Sequence, residues 1–211
     1  MSRSSLRTVC RTIASATAAA VVFLGLGLSS PAAAHAKFDA MDRLETARQA
    51  HNLLDAGYTV PWSDCTYYVS SALWLGGLAP TDEWTPKTSD PAKLASQKML
   101  NPGPSKAAAN ADDFTKYMER TRTAEVKLIT WSDQTASGAE LGDVIAYHWE
   151  QGKADHIDHL AIVTGFTKDH HPTVSQHSPT QRDRYWSWSL EANNWIEFAR
   201  PGSHAYLIHF L

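Results

Sequence analysis

Cys65 stands where a loop gives way to a helix, and that junction constrains the fold more than any other feature of the chain. Pro61 and the pair Ser63-Asp64 read as a loop ending in a helix N-cap. Val69, Ala72 and Leu73 then recur at helical spacing with Tyr68 beside them, until Gly76-Gly77 ends the pattern. The thiol therefore falls in the first turn, where unpaired backbone N–H groups and the positive dipole end favour a thiolate. Asp64 opposes ionisation if it faces the sulfur, so its carboxylate is expected to cap the helix instead.

Cys65 is also solitary. Arg3, Arg7 and Arg11 precede an uncharged run over residues 12–34 that ends in small residues, the pattern of a secretory signal cleaved after Ala34 or Ala36. The strongly apolar stretch is shorter than a bilayer span needs, which disfavours a retained membrane helix. Residues 1–36 are thus read as a leader and residues 37–211 as one exported domain, with no stable membrane insertion once the leader is gone. Cys10 leaves with the leader. An unpaired cysteine in an exported chain is a buried small hydrophobe, a site of intermolecular pairing or a nucleophile. Removing the leader also takes the net charge from −3 to −6. No basic surplus exists to neutralise phosphates, so nucleic acid is excluded as a partner.

After residue 124 the period changes from helix to strand. Residues 126–131, 142–149, 156–165 and 173–177 read as short strands joined by polar turns, an antiparallel meander. Residues 195–198 and 205–210 read as closing strands. His159 opens the most apolar strand, Leu160-Ala-Ile-Val163, from which its imidazole can aim at a helix N-terminus packed on the sheet. His177, ending the next strand, is placed to hydrogen-bond the far ring nitrogen and fix its tautomer. Asp158 is sent to the opposite face by strand alternation and ranks below it. Residues 39–56 form a preceding helix whose expected apolar face is Met41, Leu44, Ala47, Leu53 and Leu54. Residues 78–123 are a proline-rich insertion with helix-like stretches at 91–100 and 107–120. It is suited to shaping access to a cleft and equally to decorating the surface.

Four blocks in order carry a resemblance: Asp64-Cys65-Thr66…Val69-Ser70, Gly142-Asp143-Val144-Ile145, Asp158-His159-Leu160-Ala161-Ile162-Val163-Thr164-Gly165, and Ser175-Gln176-His177-Ser178. Together, over roughly residues 39–211, the chain resembles the putative amidase domain family of exported bacterial proteins. That family is similar to the papain-like NlpC/P60 and CHAP cell-wall hydrolases. The resemblance implies an α+β, papain-like fold with a nucleophile helix packed on an antiparallel sheet of five to six strands. It implies Cys65 as nucleophile, His159 as general base and His177 as the orienting polar group. The chemistry would be hydrolysis of an amide through an acyl-thioester, with a peptide or peptidoglycan fragment as substrate. Where the family reads Asn, Phe and Gln after its Asp-Cys-Thr, this chain has Tyr67, Tyr68 and Ser71.

The Cys65 backbone N–H is a natural oxyanion donor, and Ser63, Asp64 and the loop over residues 58–62 are the candidates for the rest of the substrate and oxyanion side. No cofactor is implied, and a monomer is expected. Ten histidines raise zinc as a rival, but no His-Glu-x-x-His spacing occurs, and His156 and His159 point to opposite faces of a strand. His148, His170, His171, His204 and His209 read as surface or turn residues. The second rival is a catalytically degenerate wall- or glycan-binding module, with Tyr185, Trp186, Trp188 and Trp195 as its aromatic platform.

Overall fold

The computed structural model describes residues 37–57, 64–96, 101–149 and 156–211. Residues 1–36, read above as a leader, the loop over residues 58–62 and Ser63 lie outside them. The helices are α1 (Ala40–Asp55), α2 (Cys65–Leu75), α3 (Lys106–Ala109), α4 (Ala111–Arg120) and α5 (Ile196–Ala199). The strands are β1 (Ala124–Ile129), β2 (Val144–His148), β3 (His159–Phe166), β4 (Pro172–Gln176), β5 (Gln181–Tyr185), β6 (Trp188–Ser189), β7 (Asn194–Trp195) and β8 (His204–Phe210). Six strands form one sheet in the order β1-β8-β2-β3-β4-β5, and every neighbouring pair is antiparallel. The fold is α+β, as expected. Among the described residues no helix is long and apolar enough to cross a membrane.

Alternation along the strands sorts the core into two layers. Val144, Ala146, Leu160, Ile162 and Ile208 pack with Tyr68, Val69 and Leu73 of α2 and with Phe114 and Met118 of α4. Ile145, Tyr147, Ala161, Val163, Val174 and Leu207 face the other way, onto Trp186, Ile196 and Ala136. Both faces of β2 and β3 are therefore covered, which is why these strands read as continuous apolar runs.

α1 lies on the sheet by a face that hydropathy places only in part: Ala47 is buried and Leu53 and Leu54 pack against the core as expected. Met41 and Leu44 are exposed, whereas Arg43, Thr46, Ala47 and Ala50 are buried. Long-range polar contacts decide this. Arg43 Nη1 lies 2.7 Å from Asp143 Oδ1, its Nη2 donates to the Phe210 carbonyl at 2.5 Å, and its Nε lies 3.0 Å from Glu140. Thr46 meets Gly76 at the end of α2, where an added Cβ would sit 1.8 Å from Thr46 Oγ1, so only glycine permits that crossing. Next to α1, the Phe38 N–H donates to the Leu211 carbonyl at 3.0 Å.

The insertion is not a loose ornament. Trp84 is buried against Trp74, with ring centroids 5.0 Å apart, and its indole N–H donates to Ser70 Oγ at 2.9 Å. The stretch expected as a helix from residue 91 makes only a turn with an isolated bridge at Leu94, and residues 97–100 lie outside the described part. Residues 195–198 are not a closing strand either. The chain leaves the two-residue β7 into the single turn α5, which buries Ile196 and exposes Phe198.

Candidate active site

Cys65 is the first residue of α2, so its N–H has no acceptor within the helix. The thiol is buried at 6% exposure, 3.7 Å from Thr66 Oγ1, and it takes a hydrogen bond from a backbone group of Leu160. That contact places the sulfur at the entry of β3, one residue from His159. Burial pushes the thiol pKa up, and the Asp64 carboxylate adds to this, against the opposing hydrogen bonds from Leu160 and Thr66. The sequence expectation of a resting thiolate is therefore corrected: here desolvation outweighs the favourable end of the helix.

His159 pairs in register with Tyr147 and lies with Tyr147 and Trp149, both ring centroids 6.1 Å away. Burial lowers its pKa to about 4, helped by the positive charges of Arg184 and Arg200 and opposed by a side-chain hydrogen bond to Gln176. Its Nε2 is buried without a hydrogen-bond partner. Among the described residues no hydrogen bond joins it to the Cys65 thiol. At rest both groups are thus neutral neighbours rather than an ion pair. A buried neutral histidine also makes stability pH-dependent. The unfolded chain binds the proton below about 6.5 while the folded one refuses it until about 4, so folding stability falls as pH drops through that window. The loss attributable to His159 is about 3 kcal/mol. Urea midpoints measured from pH 7 to pH 4 should fall correspondingly less in His159→Gln.

Gln176, not His177, is the residue that hydrogen-bonds His159. It closes β4 on the same face as Val174, and its Oε1 accepts from Arg184 Nε at 2.9 Å and Nη2 at 2.7 Å while its amide donates to the Pro179 carbonyl at 3.2 Å. His177 falls just past the strand end and turns to α2. Its Nδ1 lies 2.6 Å from Asp64 Oδ1, and its ring stacks on Tyr68 at 6.1 Å. Asp64 makes no side-chain cap of α2, contrary to expectation. Its buried carboxylate instead accepts from His177 and from Ser178 Oγ, also at 2.6 Å, which draws the β4–β5 turn onto the helix start. An acceptor-only carboxylate engaged in this way supplies no oxyanion donor. Asp158 points away, accepting from the Trp149 N–H at 2.8 Å.

Arg184 was not foreseen. An arginine in a short polar strand reads as solvated, yet this one is 6% exposed and donates to Gln176, Tyr147 Oη and the carbonyls of Tyr185, Trp186 and Trp188. A cleft of about 220 Å³ opens over this group, lined by His159, Gln176, Ser178, Arg184, Trp149 and Trp188 among others. Of the expected aromatic platform, Trp186 is core, stacked on Trp131, and Trp188 and Trp195 meet edge-on at 5.0 Å. His148, expected at the surface, is buried: it hydrogen-bonds the His156 carbonyl and stacks on His204. His209 bonds Asp143 at 2.8 Å. Among the described residues no three His, Cys, Asp or Glu side chains converge as a metal-ligand set.

No curated protein and no solved structure matches the chain. The family model described as putative amidase domain matches residues 51–200. That span holds Cys65, His159, Gln176, His177 and Arg184, the whole of the constellation just described, and covers well over half of the sequence: the chain belongs to the putative amidase domain family.

Proposed function

We propose that this protein is an exported cysteine-dependent amide hydrolase of papain-like organisation, acting on peptide or peptidoglycan-fragment amides. The observation that carries the reading is the thiol of Cys65 seated against the backbone of Leu160, beside a buried histidine that opens onto a cleft. On substrate binding His159 Nε2 takes the thiol proton as the sulfur attacks the carbonyl carbon. The Cys65 N–H donates to the developing oxyanion. The imidazolium then gives its proton to the departing amine, leaving a thioester. Water, deprotonated by the same ring, attacks the thioester, and the proton returns to the sulfur as the acid departs. Neutral resting forms suit this sequence, because the proton moves only when the carbonyl is in place.

Gln176 holds the ring through this cycle, and Arg184 holds Gln176. Gln176→Ala removes a hydrogen bond that favours the charged imidazolium, worth about 1.5–3 kcal/mol, so turnover should fall roughly 10- to 150-fold. Steady-state kinetics check this, with the loss expected in kcat more than in KM.

The Asp64–His177 pair supports a second reading, in which His177 is the base and Asp64 its orienting carboxylate. Purified protein is incubated with peptidoglycan fragments and products are read by mass, alongside His159→Ala and His177→Ala. Cleavage lost in His159→Ala and retained in His177→Ala supports the first reading, and the reverse pattern supports the second. Absence of any cleaved amide removes the proposed substrate class.

A further inference from the structure

The cleft beside His159 carries two guanidinium groups that, among the described residues, have no counter-ion. Arg184 is buried, and each acceptor it meets is neutral: an amide oxygen, a phenol and three backbone carbonyls. Arg200, which is exposed, also lines the cleft, with its guanidinium 4.8 Å from the centroid of the Trp149 ring. Among the described residues neither forms a salt bridge. Both act on His159 as positive charges, lowering its affinity for a proton. Glu191 lines the same cleft but is exposed and pairs with neither. Burying Arg184 without an anion is costly even with neutral acceptors around it, and the exposed Arg200 guanidinium stacked on an indole keeps its planar fork free for a planar anion. The surroundings sharpen the contrast, since the chain as a whole carries a net charge of −3 and has no general surplus of positive charge to explain this concentration.

We infer that the cleft is a carboxylate subsite, with Arg200 on Trp149 as its docking group, so that the amides cleaved are those bearing a free carboxylate close to the scissile bond. The inference rests on the reading of Cys65 and His159 as the reacting pair. Arg200 gives two parallel N–H donors to the carboxylate, while Arg184, fixed by its neutral acceptors, adds positive potential from beneath without moving. Binding an anion here would also offset the two positive charges that add to the effect of burial on His159, which raises its basicity only once the correct substrate is present.

The test needs no knowledge of the natural substrate. Cys65 in the purified protein is alkylated with iodoacetate and with iodoacetamide, two reagents of similar size that differ in one carboxylate, and modification is followed by peptide mass. The ratio of the two rates is compared with that of 2-mercaptoethanol at the same pH. In low salt the ratio at Cys65 is expected to exceed the free-thiol value roughly fivefold or more, and to approach that value in 1 M NaCl. Arg200→Gln should lose the preference and Arg200→Lys should keep most of it. The salt dependence requires no variant, so a folding defect in Arg200→Gln does not shield the inference. A ratio equal to that of the free thiol, or one unchanged in Arg200→Gln, overturns the carboxylate subsite alone. Failure of both reagents to modify Cys65 overturns the cysteine reading, and the subsite with it.

Discussion

Cys65→Ala should abolish amide hydrolysis, by a factor of at least about 10⁴, while the protein stays folded. The expectation follows from where the sulfur sits. Removing Sγ takes away the atom that would form the thioester, and nothing else at the start of α2 can replace it, since Thr66 Oγ1 is held beside the thiol. The structural cost is small. The thiol touches Thr66 and Leu160, and alanine leaves a space about one atom wide, costing on the order of 1 kcal/mol. Melting temperature and far-ultraviolet dichroism should therefore match the parent within a few degrees. Cys65→Ser is informative beside it. A hydroxyl is harder to deprotonate than a thiol, and burial already raises the thiol pKa, so serine should be nearly as inactive as alanine. Hydrolysis within tenfold of the parent rate in Cys65→Ala would end the cysteine mechanism.

The largest loss of stability should come from Arg43→Met. Asp143 is fully buried and accepts from Arg43, His209, the Glu140 N–H and the Phe210 N–H. The guanidinium is the permanent charge in that set. Methionine fills much of its volume but strands a carboxylate in the core, and breaking a buried pair on one side costs about 3–5 kcal/mol. For a domain of this size that is a fall of roughly 10 °C in Tm. Replacing both partners, Arg43→Met with Asp143→Leu, should recover part of the loss, because no charge is then left unpaired. If the single variant melts within 2 °C or so of the parent, α1 is not held by this contact. Activity per folded molecule should be little changed, since Arg43 contacts the opposite end of β2 from the cleft.

How far the sequence could be read depended on whether a residue answers to local rules or to distant partners. α2 was legible because its loop, its apolar spacing and its terminal glycines all act within a dozen residues. His159 was legible because it precedes an apolar strand buried on both faces. Gln176 was missed by one position, and parity explains the miss. β4 changes register against β5 between Val174 and Gln176, so counting in twos from neighbouring strands does not say which of Gln176 and His177 faces His159. Asp64 was misassigned for a related reason. A local cap competed with a histidine more than a hundred residues away, and the histidine won. Arg184 and Arg43 left no local trace at all, because what buries an arginine is the set of acceptors brought round it by other elements. The strand expected over residues 195–198 failed on short range, since Trp195, Ile196 and Phe198 have β propensity but stand where the chain must turn back towards β8.

The hydrogen bond from Phe38 to Leu211 has a practical corollary for anyone handling this protein. It brings residues 38 and 211 together beside Val144, whereas His159 and the cleft lie at the His148 end of the same strand. A purification handle, a fluorophore or a solid support attached beside residue 38 or 211 would therefore stand about 15 Å from His159, at the other end of that strand from the cleft.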